Sequence, residues 1–182
     1  MIYFTSDWHI GHNKPFIYEK RGFNSIEEHD TTILQRCNKI VCNPDDELWI
    51  LGDLCMGGDV KEWNRIYNNL ICKNVHYLQG NHETDYKMDI YDRDYKFEFH
   101  GFADMMKIGK KMNFFLSHYP TMVGNHEDKK PIWNLSGHTH SKDKFENGLN
   151  KIYNVSVDAH NCYPISIDHI LKDITRYTNI QR

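Results

Sequence analysis

The chain has 182 residues, 40% of them hydrophobic and 26% charged, with a net charge of -3 at neutral pH. That length fits one domain rather than two, so residues 1–182 are expected to form a single unit. The charge balance lacks the basic excess that drives nonspecific nucleic-acid binding, and no apolar run approaches the ~20 residues of a membrane span. The start of the chain reads as a strand rather than a signal peptide. Five cysteines, with no C-x-x-C pair, fit a reducing compartment, and the cytoplasm is the expected location.

Ile2–Thr5 is apolar or β-favouring and gives way to Ser6-Asp7-Trp8-His9, a polar turn directly after a strand signal. From Ser25 the pattern is helical: Ser25 and Glu28 form a capping box, and Ile26, Ile33, Cys37, Ile40 and Val41 share one face. Asn43-Pro44-Asp45 ends it. Leu48–Leu51 is a short buried strand that runs into Gly52-Asp53, and a helix capped by Asp59 is expected through Val60, Trp63, Ile66, Tyr67 and Leu70. A third strand from Val75 to Leu78 ends in Gly80-Asn81-His82-Glu83. The aromatic, charged stretch from Asp85 to His100 is assigned no element and reads as core or lid packing. Asp104–Ile108 and Lys111–Leu116 form an expected hairpin about Gly109-Lys110 that runs into Ser117-His118. Pro131–Leu135 leads to Ser136-Gly137-His138-Thr139-His140, and a last pair of strands, Ile152–Val157 and Pro164–Ile167, precedes a terminal helix. Strands alternate with helices early and adjoin one another later. The layout predicts an α/β protein with two packed sheets, βαβ units first and antiparallel pairing after.

Twelve histidines stand out. Asp7 and His9, then Asp53, then Asn81 with His82, then His118, then His138 and His140 all follow strand signals. The carboxyl ends of strands are where ligand sites gather in open α/β sheets, so these groups are expected to converge on one site. Each is a metal ligand or a proton handler by type. D-W-H and H-T-H can each direct two groups to one cluster if the turn is bent, and Asp53 is the natural bridge between two ions. Oxygen and imidazole donors without thiolate suit manganese, iron, zinc, nickel or cobalt.

In this order, D-W-H at Asp7–His9, G-D at Gly52-Asp53, G-N-H-E at Gly80–Glu83, S-H at Ser117-His118 and G-H-T-H at Gly137–His140 resemble the calcineurin-like metallophosphoesterases. The ending N-V-S-V-D at Asn154–Asp158, followed by Y-P-I-S-I-D, is similar to small bacterial and phage members. The resemblance implies two packed mixed β-sheets flanked by helices, a four-layer α-β-β-α sandwich. It also implies a site for two divalent transition-metal ions, manganese first among those named. Asp7, His9 and His140 would hold one ion and Asn81, His118 and His138 the other, with Asp53 shared. His82 would be the catalytic histidine beside the leaving group, and Glu83 would orient its other nitrogen. The implied reaction is hydrolysis of a phosphomonoester or phosphodiester by a metal-bridging hydroxide, since two ions lower the pKa of water from about 15.7 toward ~7. A histidine, with an ordinary pKa near about 6.5, can assist the departing group. Two departures stand out: G-D is followed by Leu54-Cys55-Met56 without a further aspartate, and the usual G-N-H-D is G-N-H-E.

The loop Gly11-His12-Asn13 is placed to reach a phosphate from the first-metal side, so His12 and Asn13 are candidate substrate contacts, with a plain surface loop the equal alternative. Cys55 reads as a small hydrophobe. His29, His76, His100, His160 and His169 have no partner pattern and read as structural. A second G-N-H-E, at Gly124–Glu127, has no strand before it and reads as a solvated loop. The expected substrate is a small phosphoester, a nucleotide among the candidates. The negative charge argues against a nuclease, and the third reading is a metal-binding scaffold of the same fold with little turnover.

Overall fold

A computed structural model of the chain describes residues 1–57, 60–109, 112–124, 131–146 and 151–180. In chain order the elements are β1 (Ile2–Thr5), α1 (Pro15–Tyr18), a 3-10 turn (Glu19–Arg21), α2 (Ile26–Ile40), β2 (Glu47–Leu51), α3 (Val60–Asn69), β3 (Val75–Leu78), α4 (Asp85–Arg93), β4 (Glu98–Phe99), β5 (Ala103–Ile108), β6 (Met112–Ser117), β7 (Ile132–Ser136), β8 (Ile152–Asn154), β9 (Ile165–Ser166) and α5 (Ile167–Ile180). One sheet has the order β4-β3-β2-β1-β9 and the other β5-β6-β7-β8. Both are mixed. In the first, β9 alone runs antiparallel to its neighbour β1; in the second, β5 alone runs antiparallel to β6. The expected fold, two mixed sheets with flanking helices, is what the chain forms.

Two apolar layers hold these elements. Helices α2, α3 and α4 bury Ile33, Cys37, Trp63, Ile66, Ile90 and Tyr91 against one face of the first sheet, where Leu48, Ile50, Val75 and Tyr77 point. The opposite face, carrying Phe4, Trp49, Leu51 and Leu78, packs on Phe114, Leu116, Leu135 and Tyr153 of the second sheet. Ile167, Ile170 and Ile174 of α5 complete that layer. Each fully buried side chain of this kind contributes roughly 1.5–3 kcal/mol. At the far ends of the strands the sheets join, through a bridge between Ser6 and Ser156 and the bond from Val157 N–H to Ser6 O at 3.2 Å.

The structure departs from the sequence reading in four places. Residues 85–93, assigned no element, form α4, capped by the Thr84 hydroxyl on Lys87 N–H at 3.4 Å, because Lys87, Ile90 and Tyr91 share a buried face. The last two strands are not a pair: β8 joins the second sheet and β9 the first. The late strands are also mostly parallel, since connections 118–131 and 137–151 are long enough for crossovers, which need about a dozen residues. At α2 the Ser25 hydroxyl accepts from Glu28 N–H at 3.2 Å as expected, but the Glu28 carboxylate reaches back to Asn24 N–H, at 2.8 Å, instead of Ser25. The Asp59 cap, Lys110 and Lys111 of the hairpin and Asn125–Glu127 of the second tetrapeptide lie outside the described residues. Among those described, no helix is long and apolar enough to cross a membrane.

Candidate metal centre

Five of the seven residues expected to hold metal sit in turns that ordinary extended chain could not make. Asp7 (φ 58°), His9 (φ 52°), Asp53 (φ 56°), His138 (φ 71°) and His140 (φ 52°) are all in the left-handed region. For a non-glycine residue that conformation is disfavoured by roughly 1–2 kcal/mol, and such strain clusters where function requires it. Its effect here is geometric: D-W-H and H-T-H each bend so that the outer two side chains face the same way. Two glycines let the turns close. A Cβ on Gly80 would collide with the Asp53 carboxylate, and one on Gly137 with the Asp7 carboxylate and the Ser6 hydroxyl.

The donor atoms then converge. His9 Nε2 lies 3.1 Å from His140 Nε2, and His140 Nε2 is 3.8 Å from Asp7 Oδ1. Asn81 Oδ1 lies 2.9 Å from His118 Nε2 and 3.0 Å from His138 Nδ1, and those two nitrogens are 3.3 Å apart. Between the groups stands Asp53, whose Oδ2 is 3.4 Å from His118 Nε2, 3.7 Å from His9 Nε2 and 3.8 Å from His82 Nε2. Atoms ~2.1 Å from a common ion stand roughly 3 to 3.5 Å apart, so these spacings are close to the edges of coordination shells. Several pairs set acceptor lone pairs against each other, which a cation between them relieves.

The outer nitrogens fix the tautomers. His118 Nδ1–H donates to Leu51 O at 2.9 Å, and His140 Nδ1–H donates to Asp158 Oδ2 at 2.9 Å, so in the neutral rings Nε2 turns a lone pair to the centre. Burial, reinforced by His140, pulls His9 down to about 2, so this imidazole is neutral. Burial and His118 likewise lower His138. Burial raises Asp7. Burial works against a charged Asp53 as well, but the hydrogen bond and charge of His118 hold it below the ordinary carboxylate range. Against its own burial, His118 is pushed up to about 9 by Asp53 and Asp7. The cluster thus sets two buried carboxylates against the favoured imidazolium of His118, and divalent cations supply the same positive charge. The residues fit the group.

Behind the donors lies a network that sequence reading missed. Arg21, from the 3-10 turn, binds both Asp158 oxygens, at 2.9 and 2.7 Å, and donates to the carbonyls of Asp7 at 2.9 Å and Trp8 at 3.3 Å. It also donates to His29 Nε2 at 2.8 Å, so His29 carries its proton on Nδ1 and gives it to Asp30 at 2.7 Å. Asp30 in turn accepts from Gly11 N–H at 2.9 Å. Arg21 Nη2 lies 3.1 Å from His140 Nδ1 because both donate to Asp158. His29, read as structural, is therefore a buried link to the site. Asp158 stands in the quoted N-V-S-V-D ending, the one signal that could have marked it; nothing in the sequence ties Arg21 to it across 137 positions.

Glu83 does not orient His82. Its carboxylate accepts from Gly80 N–H (2.8 Å), Asp53 N–H (3.0 Å) and Leu54 N–H (3.2 Å), while Asp53 Oδ1 accepts from His82 N–H at 3.0 Å. The physical reason is reach: the glutamate spans from the third turn to the second and takes the amides that follow Gly52. It supplies the support that the second block lacked after Asp53. Lys87 of α4 closes the same knot, donating to the carbonyls of Cys55 at 2.5 Å and His82 at 2.6 Å. Cys55 is buried and its thiol is pushed up by burial, in keeping with packing rather than ligation.

A cleft of about 840 Å³ opens on the His9 and His140 side, lined by His12, Phe16, Lys20, His82 and Lys142. His12 lines this cleft, with Nδ1 3.2 Å from His9 Nδ1. Asn13 is not among the lining residues. Its side chain is exposed, and the bonds Asn13 N–H to Gly11 O and Lys14 N–H to His12 O, at 2.9 and 2.7 Å, make a tight turn there.

The chain is 27% identical over 180 residues to an uncharacterized protein of Methanocaldococcus jannaschii, covering 96% of this chain and 92% of that one. It is 32% identical over 168 residues to the gene 66 protein of Mycobacterium phage L5, covering 76% and 77%. Among solved structures, a protein of unknown function from Aquifex aeolicus superposes with a TM-score of 0.69 at 24% identity, over 94% of this chain and 98% of that one. The family model described as calcineurin-like phosphoesterase matches residues 1–180, and the chain belongs to that family.

Proposed function

We propose that this protein is a dinuclear metal-dependent phosphoesterase that hydrolyses a small phosphomonoester or phosphodiester. The observation that carries the reading is the position of Asp53 Oδ2, within 3.4–3.8 Å of one nitrogen each from His118, His9 and His82. One carboxylate oxygen thus faces both ligand groups and the candidate proton donor. Asp7, His9 and His140 would hold one ion, Asn81, His118 and His138 the other, and Asp53 both. Two divalent transition-metal ions, manganese first and iron, zinc, nickel or cobalt also suited to the donors, supply Lewis acidity that makes water nucleophilic and offsets phosphoryl charge.

The remaining work falls to the chain. His82, 31% exposed at the cleft and anchored through its N–H on Asp53, delivers a proton to the departing oxygen. His12, Lys20 and Lys142 offer donors to phosphate oxygens, and the exposed ring of Phe16 offers a flat apolar surface. That combination suits a small ester bearing a planar group, a nucleotide being one example. The five cysteines are free, four of them buried, which accords with the reducing cytoplasm as its location.

The test is hydrolysis of an aryl phosphomonoester and an aryl phosphodiester by chelator-stripped protein resupplied with Mn, Ni, Zn or Mg. Turnover should require metal and fall by roughly 10²–10⁴-fold in His82→Ala with metal content unchanged. Two bound ions with no turnover on either ester would support the scaffold reading instead. Full turnover in His82→Ala would remove the role assigned to that residue.

A further inference from the structure

A second cluster of metal-type donors lies at the opposite end of β3. His76 is the second residue of that strand, and Glu98 is its register partner on β4. Asn81 follows five residues after His76, on the order of 15 Å along an extended chain, so the two clusters do not overlap. His76 Nδ1 is 3.0 Å from His100 Nε2 and 3.3 Å from Glu98 Oε2, and His100 Nε2 is 3.6 Å from Glu98 Oε1. Two imidazole nitrogens and a carboxylate thus outline one face of a small polyhedron, with the spacing that atoms ~2.1 Å from a common ion would have.

The surroundings resemble a built site more than a chance meeting. Asp104 Oδ2 accepts from His100 Nδ1–H at 2.9 Å, which leaves Nε2 with its lone pair toward the cluster. A carboxylate behind a ligating histidine is the usual way to fix its tautomer and ring plane. His76 is held by stacking on Trp49, with ring centroids 4.4 Å apart and planes 7° apart, and Trp49 also flanks His100 at 4.6 Å. The imidazoles are mostly covered, at 12% and 18% exposure, whereas Glu98 is 65% exposed, so one side stays open to an incoming ion and to water. The cluster also spans the two sheets: β4 is an edge strand of the first and β5, which carries Asp104, an edge strand of the second.

We propose that His76, His100 and Glu98 form a further, mononuclear site for a zinc-class divalent ion at the edge of the first sheet, with water completing the shell and Asp104 of the second sheet orienting His100 from behind. Two histidines and a glutamate are a donor set that zinc accepts. The inference is independent of the activity assigned to the strand-end centre.

The experiment counts ions. Chelator-stripped full-length protein and a His76→Gln/His100→Gln variant are each equilibrated with Zn²⁺, freed of loose metal and analysed for metal per chain. The variant should hold one ion fewer than the wild type while keeping its Mn-dependent phosphoesterase rate. With Co²⁺, the wild-type-minus-variant spectrum should show ligand-field bands of a low-coordinate site. Glu98→Gln, an exposed change that the fold tolerates, should weaken binding of that one ion roughly 10–100-fold, as should Asp104→Asn. Zinc should raise the thermal midpoint of the wild type by more than that of the double variant. Equal metal content in wild type and double variant, or unchanged affinity in Glu98→Gln, would overturn the proposal and leave the histidines as partners of Trp49 and the carboxylates.

Discussion

The two halves of the strand-end centre are held by different means. In the Asp7, His9 and His140 half, orientation passes through buried side chains: Asp158 takes the His140 proton, Arg21 grips Asp158, and His29 and Asp30 continue the chain to Gly11. In the Asn81, His118 and His138 half, His118 is held by the main-chain carbonyl of Leu51, and His138 lies beside the ring of Tyr119 with centroids 4.6 Å apart. A side-chain brace can be removed by one substitution; a main-chain brace cannot. The difference teaches that sensitivity to mutation behind the donors should be concentrated in the first half, where the cleft also opens.

The largest expected effect ignores this asymmetry. Asp53→Asn strikes both halves, so metal at both positions and turnover should be lost beyond the ~10²–10⁴-fold expected for His82→Ala, read by metal analysis and ester hydrolysis. Retained metal with full activity would contradict it.

The second prediction concerns stability on the braced side. His160 Nε2–H donates to Asn154 O at 2.8 Å, securing the turn that carries Asp158, and burial lowers this histidine to about 4. A folded pKa below the unfolded ~6.5 means the unfolded chain binds the extra proton first, so stability is lost as pH falls from about 6.5 toward 4. The loss should reach about 3 kcal/mol, on the order of 1.4 kcal/mol per pH unit. Denaturant titrations of wild type and His160→Gln should therefore converge as pH falls through that window; parallel curves would refute the assignment.

Asp158→Asn tests the comparison itself. Affinity for one of two ions should fall roughly 10–100-fold, with the other ion retained. The smallest effect belongs to Tyr119→Ala in the other half, where calorimetric metal titration should be indistinguishable from wild type. If Tyr119→Ala weakened binding as much as Asp158→Asn, the two halves would not differ as described.

What the sequence revealed and what it concealed follow the same divide. The donors were legible because each follows a strand and stands in a recognisable block; Asp7, His9, Asp53, Asn81, His82, His118, His138 and His140 meet at one place as that reading expected. Their supports were not, because they are contacts between distant segments without periodicity or spacing of their own. Arg21 lies in a charged 3-10 turn that reads as surface, yet its side chain is 2% exposed. Glu83 was singled out for the wrong partner, since a carboxylate next to His82 in sequence reaches instead to the Asp53 turn. Helix α4 escaped notice because Tyr86, Tyr91, Tyr95, Phe97 and Phe99 obscure its period, although Thr84 and Asp85 mark its start. Strand β9 was visible but its partner was not, as two residues beside β1 carry no record of which sheet they join.

The most direct test of the dinuclear account is electron paramagnetic resonance of chelator-stripped protein reloaded with Mn²⁺. A pair of ions sharing the Asp53 carboxylate should give the multiline spectrum of an exchange-coupled pair in the wild type, and Asp53→Asn should abolish it. Isolated-ion signals alone from a fully loaded wild type, or a coupled pair that survives in Asp53→Asn, would contradict the account.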